Sequence, residues 1–531
     1  MVSHDPANAQ HGELLAVPAY VLWNDPTFRS ALGQPDARLD SVELTPLSAT
    51  TTTAIPTPSA LLLARHEIVP WQPRTTLMRD LLTWADQPGP GVWLLHGPGG
   101  QGKTRLALQL SHELSARWAV FWPSPDKPAE TMQIVGQLAR PTLIVLDYAE
   151  TRPTQLRTIL TVLPATAQVK VLLLARTAAG WWEDLPVADE RIADNLATAR
   201  THPLEPLPAT EATYRDAITA YATALPQVPG LDHHPWADIA ARLPDRDHLD
   251  HPLTLHLTAL ADLLDTTLPP EQRTPNTTPE ARVLLHERRY WHKTAATIPA
   301  LAALNSTTLH NVIALAILAG LTGPEDADPV LRTLPGLPAD PNPTLHHLTG
   351  WLRSLYPPTT PGRYFDSPQP DRLAEHHAAH QTLNTPNFTN QLAATATADQ
   401  ATTMLTVLTR ALIHTPHPTQ LAHHITTLIT THSHALAPPA LTITTQTETP
   451  QPLLTALHTI TTNPDTPTSL VTTLTDLLPH STRRLAHLAT DLTQRLVHYH
   501  RTNPDAHLPD LAMSLNNLSN RLGEVGRREE G

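Results

Sequence analysis

Cysteine is absent from the 531-residue chain. That excludes disulfides, zinc ribbons, thiol nucleophiles and iron–sulfur clusters. Lysine is nearly absent: of 36 basic residues only Lys103, Lys127, Lys170 and Lys293 are lysines. Glycine is sparse, with 19 residues against 55 prolines. No apolar run reaches the roughly 18 residues that a membrane-crossing helix needs. Met1 to Gly12 lacks the basic start and apolar stretch of a secretory signal. A net charge of −13 argues against general nucleic-acid binding. The expectation is a soluble, cytoplasmic protein with no membrane and no general nucleic-acid partner. Hydrophobic residues make up 40% of the chain, enough for real cores. The length suits about three or four domains. Heavy use of Arg, Ala, Pro, Thr and His matches the codon bias of a GC-rich bacterial genome. In such a chain a lysine or a glycine cluster is informative.

The first 65 residues read as a low-complexity linker, with Thr, Ser and Pro concentrated between Asp40 and Ala60. Patterning then begins. Leu77, Leu81, Leu82 and Trp84 share a helix face. Short apolar runs predict strands at Val92–Leu95, Trp118–Trp122, Leu143–Leu146 and Val169–Leu174, with a fifth at Leu204–Leu207. Between them, helical spacing predicts Lys103–Arg117, Ala129–Ala139 and Gln155–Leu163. Continuous apolar strands alternating with helices mean a parallel sheet covered on both faces. After about residue 209 helical patterns dominate: Ala212–Ala224, Leu253–Leu264, Glu280–Ala295, Leu309–Leu321, Asp371–Leu383 and Ala401–Ile413. Residues 401–480 contain 24 Thr, a mediocre helix former. Leu421, Ile425 and Leu428, and Leu470, Leu474 and Leu477, still keep helical spacing, so thin helices with Thr on their outer faces are expected.

The chemistry concentrates in one loop. Gly97-Pro98-Gly99-Gly100-Gln101-Gly102-Lys103-Thr104 fits G-x-x-x-x-G-K-[ST]. Glycines let successive backbone N–H groups turn inward around a phosphate. Lys103 reaches the outer phosphates, Thr104 ligates Mg²⁺, and the helix that starts here adds its positive dipole end. Arg105 completes the candidate binding run. A match by chance is expected only about 10⁻³ times in such a chain. Leu143-Ile144-Val145-Leu146-Asp147 is a Walker B strand, placing the Asp147 carboxylate where it can share Mg²⁺ with Thr104. Glu150 follows after Tyr148 and Ala149. It can orient an attacking water, or be a helix-start glutamate favoured by the dipole. Arg176 ends the next strand and can sense a γ-phosphate, or be a capping or surface arginine. A strand intervenes between the two motifs, which argues against simple nucleotide kinases.

These residues resemble the STAND class of signal-transduction NTPases, which includes the NB-ARC and NACHT proteins. The likeness is to bacterial members that carry tetratricopeptide repeats. It runs from about residue 66 to the C-terminus. Val69-Pro70-Trp71-Gln72-Pro73-Arg74 resembles the segment leading into the module, and Leu204-Glu205-Pro206-Leu207 its fifth strand. His251-Pro252-Leu253-Thr254-Leu255 resembles G-x-P-L-x-L, in which the proline packs near adenine. Here the glycine is missing, and Pro252 also reads as a plain helix-start proline. Pro370-Asp371-Arg372-Leu373-Ala374-Glu375-His376 resembles a later helical segment, but no Met-His-Asp signature is present. Leu511 to Leu522, followed by Gly526-Arg527-Arg528, resembles the start of a tetratricopeptide repeat. One repeat cannot bury its own face, so the chain reads as truncated; an ordinary helix pair is the alternative.

The resemblance implies an α/β P-loop NTPase domain over residues 66–208. It would be followed by helical (209–300), winged-helix-like (301–395), Thr-rich helical (396–493) and partial repeat (494–531) segments. It implies an ATP- and ADP-controlled switch using Mg²⁺, with slow hydrolysis, a protein partner at the helical repeats and self-assembly on activation. A non-hydrolysing nucleotide-binding scaffold is the competing reading. The 31 His include His376 and His380 at i, i+4 spacing, yet no H-E-x-x-H occurs and zinc is not expected. No G-x-S-x-G elbow supports a hydrolase triad.

Overall fold

The computed structural model describes residues 55–123, 141–163, 168–246, 249, 251–321, 323–334, 336–337, 342–358, 364–478, 484–502 and 504–524. The helix expected at Ala129–Ala139 lies outside them. Five strands form one sheet: β1 (Gly91–His96), β2 (Ala119–Phe121), β3 (Thr142–Asp147), β4 (Val169–Ala175) and β5 (Arg200–Pro203). Their order is β2-β3-β4-β1-β5 and every neighbouring pair is parallel. Helices α1 (Thr75–Ala85), α2 (Lys103–Leu114), α3 (Pro153–Val162), α4 (Gly180–Ala188) and α5 (Glu190–Leu196) accompany the sheet.

Alternate residues of each strand serve opposite faces. Leu94, Ile144, Leu146, Val171 and Leu173 pack with Leu156, Ile159 and Leu160 of α3. Trp93, Leu95, Leu143, Val145 and Leu172 pack with Leu81 of α1 and with Leu106 and Leu110 of α2. Burial on both faces explains why β1, β3 and β4 are rich in apolar residues, interrupted in β4 only by the buried Lys170.

The fifth strand differs from expectation. It is Arg200–Pro203, four residues before the apolar Leu204–Leu207. β5 is an edge strand with largely exposed side chains, held to Trp93–His96 by its backbone. Apolar content therefore does not mark it. Leu204 follows the strand, is buried, and donates its N–H to the His96 carbonyl at 2.7 Å.

The rest is helical: α6 (Glu211–Ala224), α7 (Trp236–Arg242), α8 (Pro252–Asp265), α9 (Pro279–Ala296), α10 (Ser306–Ala319), α11 (Pro324–Leu331), α12 (Asn342–Leu355), α13 (Asp371–Asn384), α14 (Pro386–Thr395), α15 (Ala398–Ala411), α16 (Pro418–Thr431), α17 (Ser433–Thr444), α18 (Gln451–Thr462), α19 (Thr468–Asp476), α20 (Ala486–Thr502) and α21 (Pro504–Glu524). No strand follows Pro203 among the described residues. The winged-helix-like expectation for 301–395 thus has no β-wing to rest on there. α20 and α21 pack on each other. One hydrophobic cluster includes residues from 209–300, 301–395 and 396–493 alike. No described helix is long and apolar enough to cross a membrane.

Two further expectations need correction. The end of the supposed linker is packed, not loose. Ile55, Thr57, Ser59, Ala60 and Leu61 are buried, and the Ser59 N–H donates to the Glu287 carboxylate at 2.5 Å. Tyr356 donates its hydroxyl to the same carboxylate at 3.1 Å. Thr, Ser and Pro composition hides this strap because its partners lie on α9. Most Thr of the Thr-rich helices are exposed or half-buried, as expected, but Thr409, Thr444 and Thr461 are buried. Each hydroxyl donates to the carbonyl one turn back, at 2.7, 2.7 and 2.8 Å. That bond removes the penalty for burying it.

Candidate nucleotide site

β1 delivers the chain to Gly97, and α2 begins at Lys103. Gly102 caps α2 with φ of +87° and, being glycine, offers no side chain to the first-turn N–H groups. Those donors, with the positive end of the helix dipole, face an anion bound at the loop. Gly100 has φ of +85°, and a Cβ there would stand 2.6 Å from the Leu253 Cβ. Only glycine permits this approach of α8. Lys103 Nζ donates to the carbonyls of Gly97 at 2.5 Å and Pro98 at 2.9 Å. Burial lowers the Lys103 pKa to about 8 despite the pull of Asp147. Gln101 is buried with its side chain against Gly97. Its carbonyl accepts from Arg74 at 2.9 Å, and Arg74 also donates to the Glu205 carbonyl at 2.6 Å. Arg74 thus ties the loop to the segment after β5.

Thr104 Oγ1 donates to Asp147 Oδ2 at 2.9 Å. The loop hydroxyl and the carboxylate at the end of β3 therefore share one spot. Burial raises the Asp147 pKa to about 6, against the hydrogen bonds from Thr104 and the Tyr148 N–H. One hydroxyl and one carboxylate fit Mg²⁺, which keeps waters and takes phosphate oxygens as its remaining ligands. No described group of three His, Asp or Glu residues is arranged to hold a metal unaided.

The residues after Asp147 reach into the helical half. Tyr148 takes the left-handed conformation, φ +54°, uncommon for a bulky residue. Its hydroxyl donates to Asp371 on α13 at 2.6 Å. Its ring lies under the Arg410 guanidinium, 5.4 Å from the ring centre. Glu150 is buried. Its Oε1 accepts from the Arg176 N–H at 3.3 Å and from Arg410 on α15 at 3.4 Å. Glu150 lies in the first turn of a short 3-10 helix, Ala149–Thr151, and it also ion-pairs with Arg410 of the helical half.

Arg176 continues β4 past its register with β1 and β3, at the C-terminal edge where parallel sheets bind ligands. A Cβ on Gly99 would lie 3.5 Å from its guanidinium carbon, so Arg176 stands directly against the loop. It is not a surface arginine. Its Nη2 donates to Glu375 at 2.6 Å and to Asp371 at 3.3 Å, both on α13. Burial opposes the charge on Arg176, but Glu375 and Asp371 outweigh it. Burial also pushes Asp371 up, and Arg176 and Arg410 overcome that and leave its carboxyl below the usual range.

Two candidates stand slightly apart. Arg105 turns to the preceding segment and ion-pairs with Glu67. Pro252 is the first residue of α8, a helix-start position, and its neighbour Leu253 touches the loop. Arg410, and Glu448 within electrostatic reach of Arg176, Lys103 and Arg410, have no local motif that marks them; Asp371 and Glu375 lie in the segment Pro370–His376 but are not singled out there as site residues. The acidic i, i+4 spacing of Asp371 and Glu375 is the one signal available. In the histidine cluster, Arg288 stands 3.5 Å from Nδ1 of both His377 and His380, a cation where a metal would need none.

Residues 61–185 match the family model described as Novel STAND NTPase 5. No curated protein matches the chain. The matched segment carries β1, the phosphate loop, Asp147, Glu150 and Arg176, and it supports a nucleotide-binding P-loop NTPase of the STAND class.

Proposed function

We propose that this protein is a nucleotide-controlled signalling switch. ATP with Mg²⁺ turns it on, ADP holds it off, and slow hydrolysis resets it. The observation that carries this reading is the position of Arg176. It lies against Gly99 of the phosphate loop while Glu375 and Asp371 of α13 hold its guanidinium. A γ-phosphate competes with those two carboxylates for the same cation. Breaking the contact releases α13, so a local charge exchange is converted into a rearrangement of the helical half.

Within this reading Lys103 and the α2 N-terminus bind the phosphates. Thr104 and Asp147 hold Mg²⁺, which would neutralise phosphate charge. Glu150 orients water. Pro252 and Leu253 close the loop side of the site, with Pro252 toward the base. Adenine is the proposed base. The helical half, with α20 and α21 at its end, offers the surface for a protein partner and for self-assembly.

Lys103→Ala should weaken ATP binding by roughly two orders of magnitude while the thermal unfolding transition stays in place. Undiminished ATP affinity in that variant would overturn the reading. A non-hydrolysing scaffold is the second reading. It is favoured by Tyr148, which stands directly after Asp147 where a catalytic glutamate is usual in hydrolysing P-loop enzymes. Tight binding with zero Mg²⁺-dependent turnover would select it.

A further inference from the structure

Between residues 401 and 480 the chain holds a single Lys or Arg, Arg410, and a single Glu, Glu448. Both turn to the nucleotide site. Glu448 is within electrostatic reach of Arg176, Lys103 and Arg410. Arg410 closes the last turn of α15, and α15 packs on α10 and α13. In a charge-poor stretch, a half-buried guanidinium needs a reason to be where it is.

Glu150 supplies the reason. Its side chain is 1% exposed. Oε1 takes two donors, the Arg176 N–H and Arg410 Nη2. Oε2 is buried with no hydrogen-bond partner. A buried carboxylate oxygen left unpaired is costly, so it is expected to serve a ligand. One oxygen fixed by two donors and the other buried but unpartnered is an arrangement that suits a carboxylate holding a single water. The ring of Tyr148 under Arg410 fixes the guanidinium from the other side. We propose that Arg410 is a positioning residue for nucleotide hydrolysis, holding Glu150 so that Oε2 faces the attacking water.

The proposal rests on the reading of Glu150 as the water-orienting group. In the step, the water oxygen bonds to the γ-phosphorus. The bond from that phosphorus to the β–γ bridging oxygen breaks, and its electron pair leaves with ADP. The water proton passes to Glu150 Oε2 and then to the phosphate released. Arg410 touches neither water nor phosphate in this scheme. It makes turnover depend on a helix of the C-terminal half, lying 260 residues downstream of Glu150.

The test is steady-state Mg²⁺-ATP hydrolysis by the full chain and by Arg410→Ala, Arg410→Lys, Glu150→Gln and the double variant Arg410→Ala/Glu150→Gln. Arg410→Ala should lower kcat roughly ten- to a hundredfold, within the range a positioned base contributes, with KM unchanged. Arg410→Lys should recover part of the loss, and the double variant should be no slower than Glu150→Gln. If Arg410→Ala does not fold, Arg410→Gln carries the same comparison. A wild-type kcat in Arg410→Ala, or a double variant slower by the product of the single effects, overturns the proposal while leaving Glu150 in its role. A Glu150→Gln variant with the wild-type rate, or no turnover in the unaltered chain, overturns the underlying reading of Glu150 and this proposal with it.

Discussion

In the proposed switch, Lys103 and Asp147 set the conditions under which the site works, because each proposed role needs a particular charge. Lys103 binds phosphate only when protonated, and burial brings its pKa down to about 8. Asp147 serves Mg²⁺ only when ionised, and burial brings its pKa up to about 6. Raising the pH through about 8 removes the cation, and lowering it through about 6 protonates the carboxylate. Mg²⁺-ATP affinity should therefore be greatest between those limits and fall on both sides. Isothermal titration across pH 5 to 9 checks this. Asp147→Asn should flatten the acid side alone, and an acid limb that persists in that variant would contradict the assignment. Both residues were legible in the sequence. The chain has four lysines, and one sits where the phosphate loop requires it. Asp147 follows four apolar residues whose burial fixes the strand end. Glu150 and Arg176 were legible as positions but not as partners, because their partners come from α13 and α15.

At the scale of elements, the phosphate loop and α8 meet closely. Gly100 has a positive φ and stands against Leu253. Gly100→Ala adds a left-handed penalty of about 1–2 kcal/mol and drives a methyl group into Leu253. The expected outcome is a lower unfolding temperature together with weaker ATP binding, read by thermal melts and titration. A melt and an affinity like those of the unaltered chain would mean that α8 does not seat on the loop. Elements with strong periodicity were readable: β1, β3 and β4 by their apolar residues, and α6, α8, α9, α10, α13, α15, α16 and α19 by their spacing, whereas α7, α11, α14, α17 and α18 were not singled out. β5 was not, since an edge strand is chosen by backbone pairing rather than by side-chain burial. The strap at Ile55–Leu61 was not, since its burial is decided by Glu287 and Tyr356, both more than two hundred residues away. The buried Thr of α15, α17 and α18 were misjudged because their hydroxyls find partners inside their own helices.

At the scale of the molecule, the helical half is joined to the sheet through charge. Arg176 meets residues 195 and 199 positions further along the chain, and Glu150 meets one 260 positions on. No local pattern encodes such pairs, which is why the sequence pointed to a nucleotide site but not to what holds it. In the proposed switch, α13 and a γ-phosphate compete for Arg176. Neutralising the two carboxylates with Asp371→Asn and Glu375→Gln keeps their shape and removes their claim on the guanidinium. A coupling of this kind is worth about 1–3 kcal/mol, or roughly 5- to 150-fold in affinity. The decisive measurement is the ratio of ATP to ADP affinity, taken by titration with Mg²⁺ in the unaltered chain and in the double variant. The ratio should shift toward ATP by about tenfold or more, with ADP affinity little changed. An unchanged ratio in a folded, nucleotide-binding double variant would contradict the claim that Arg176 is the point where the helical half reads the nucleotide.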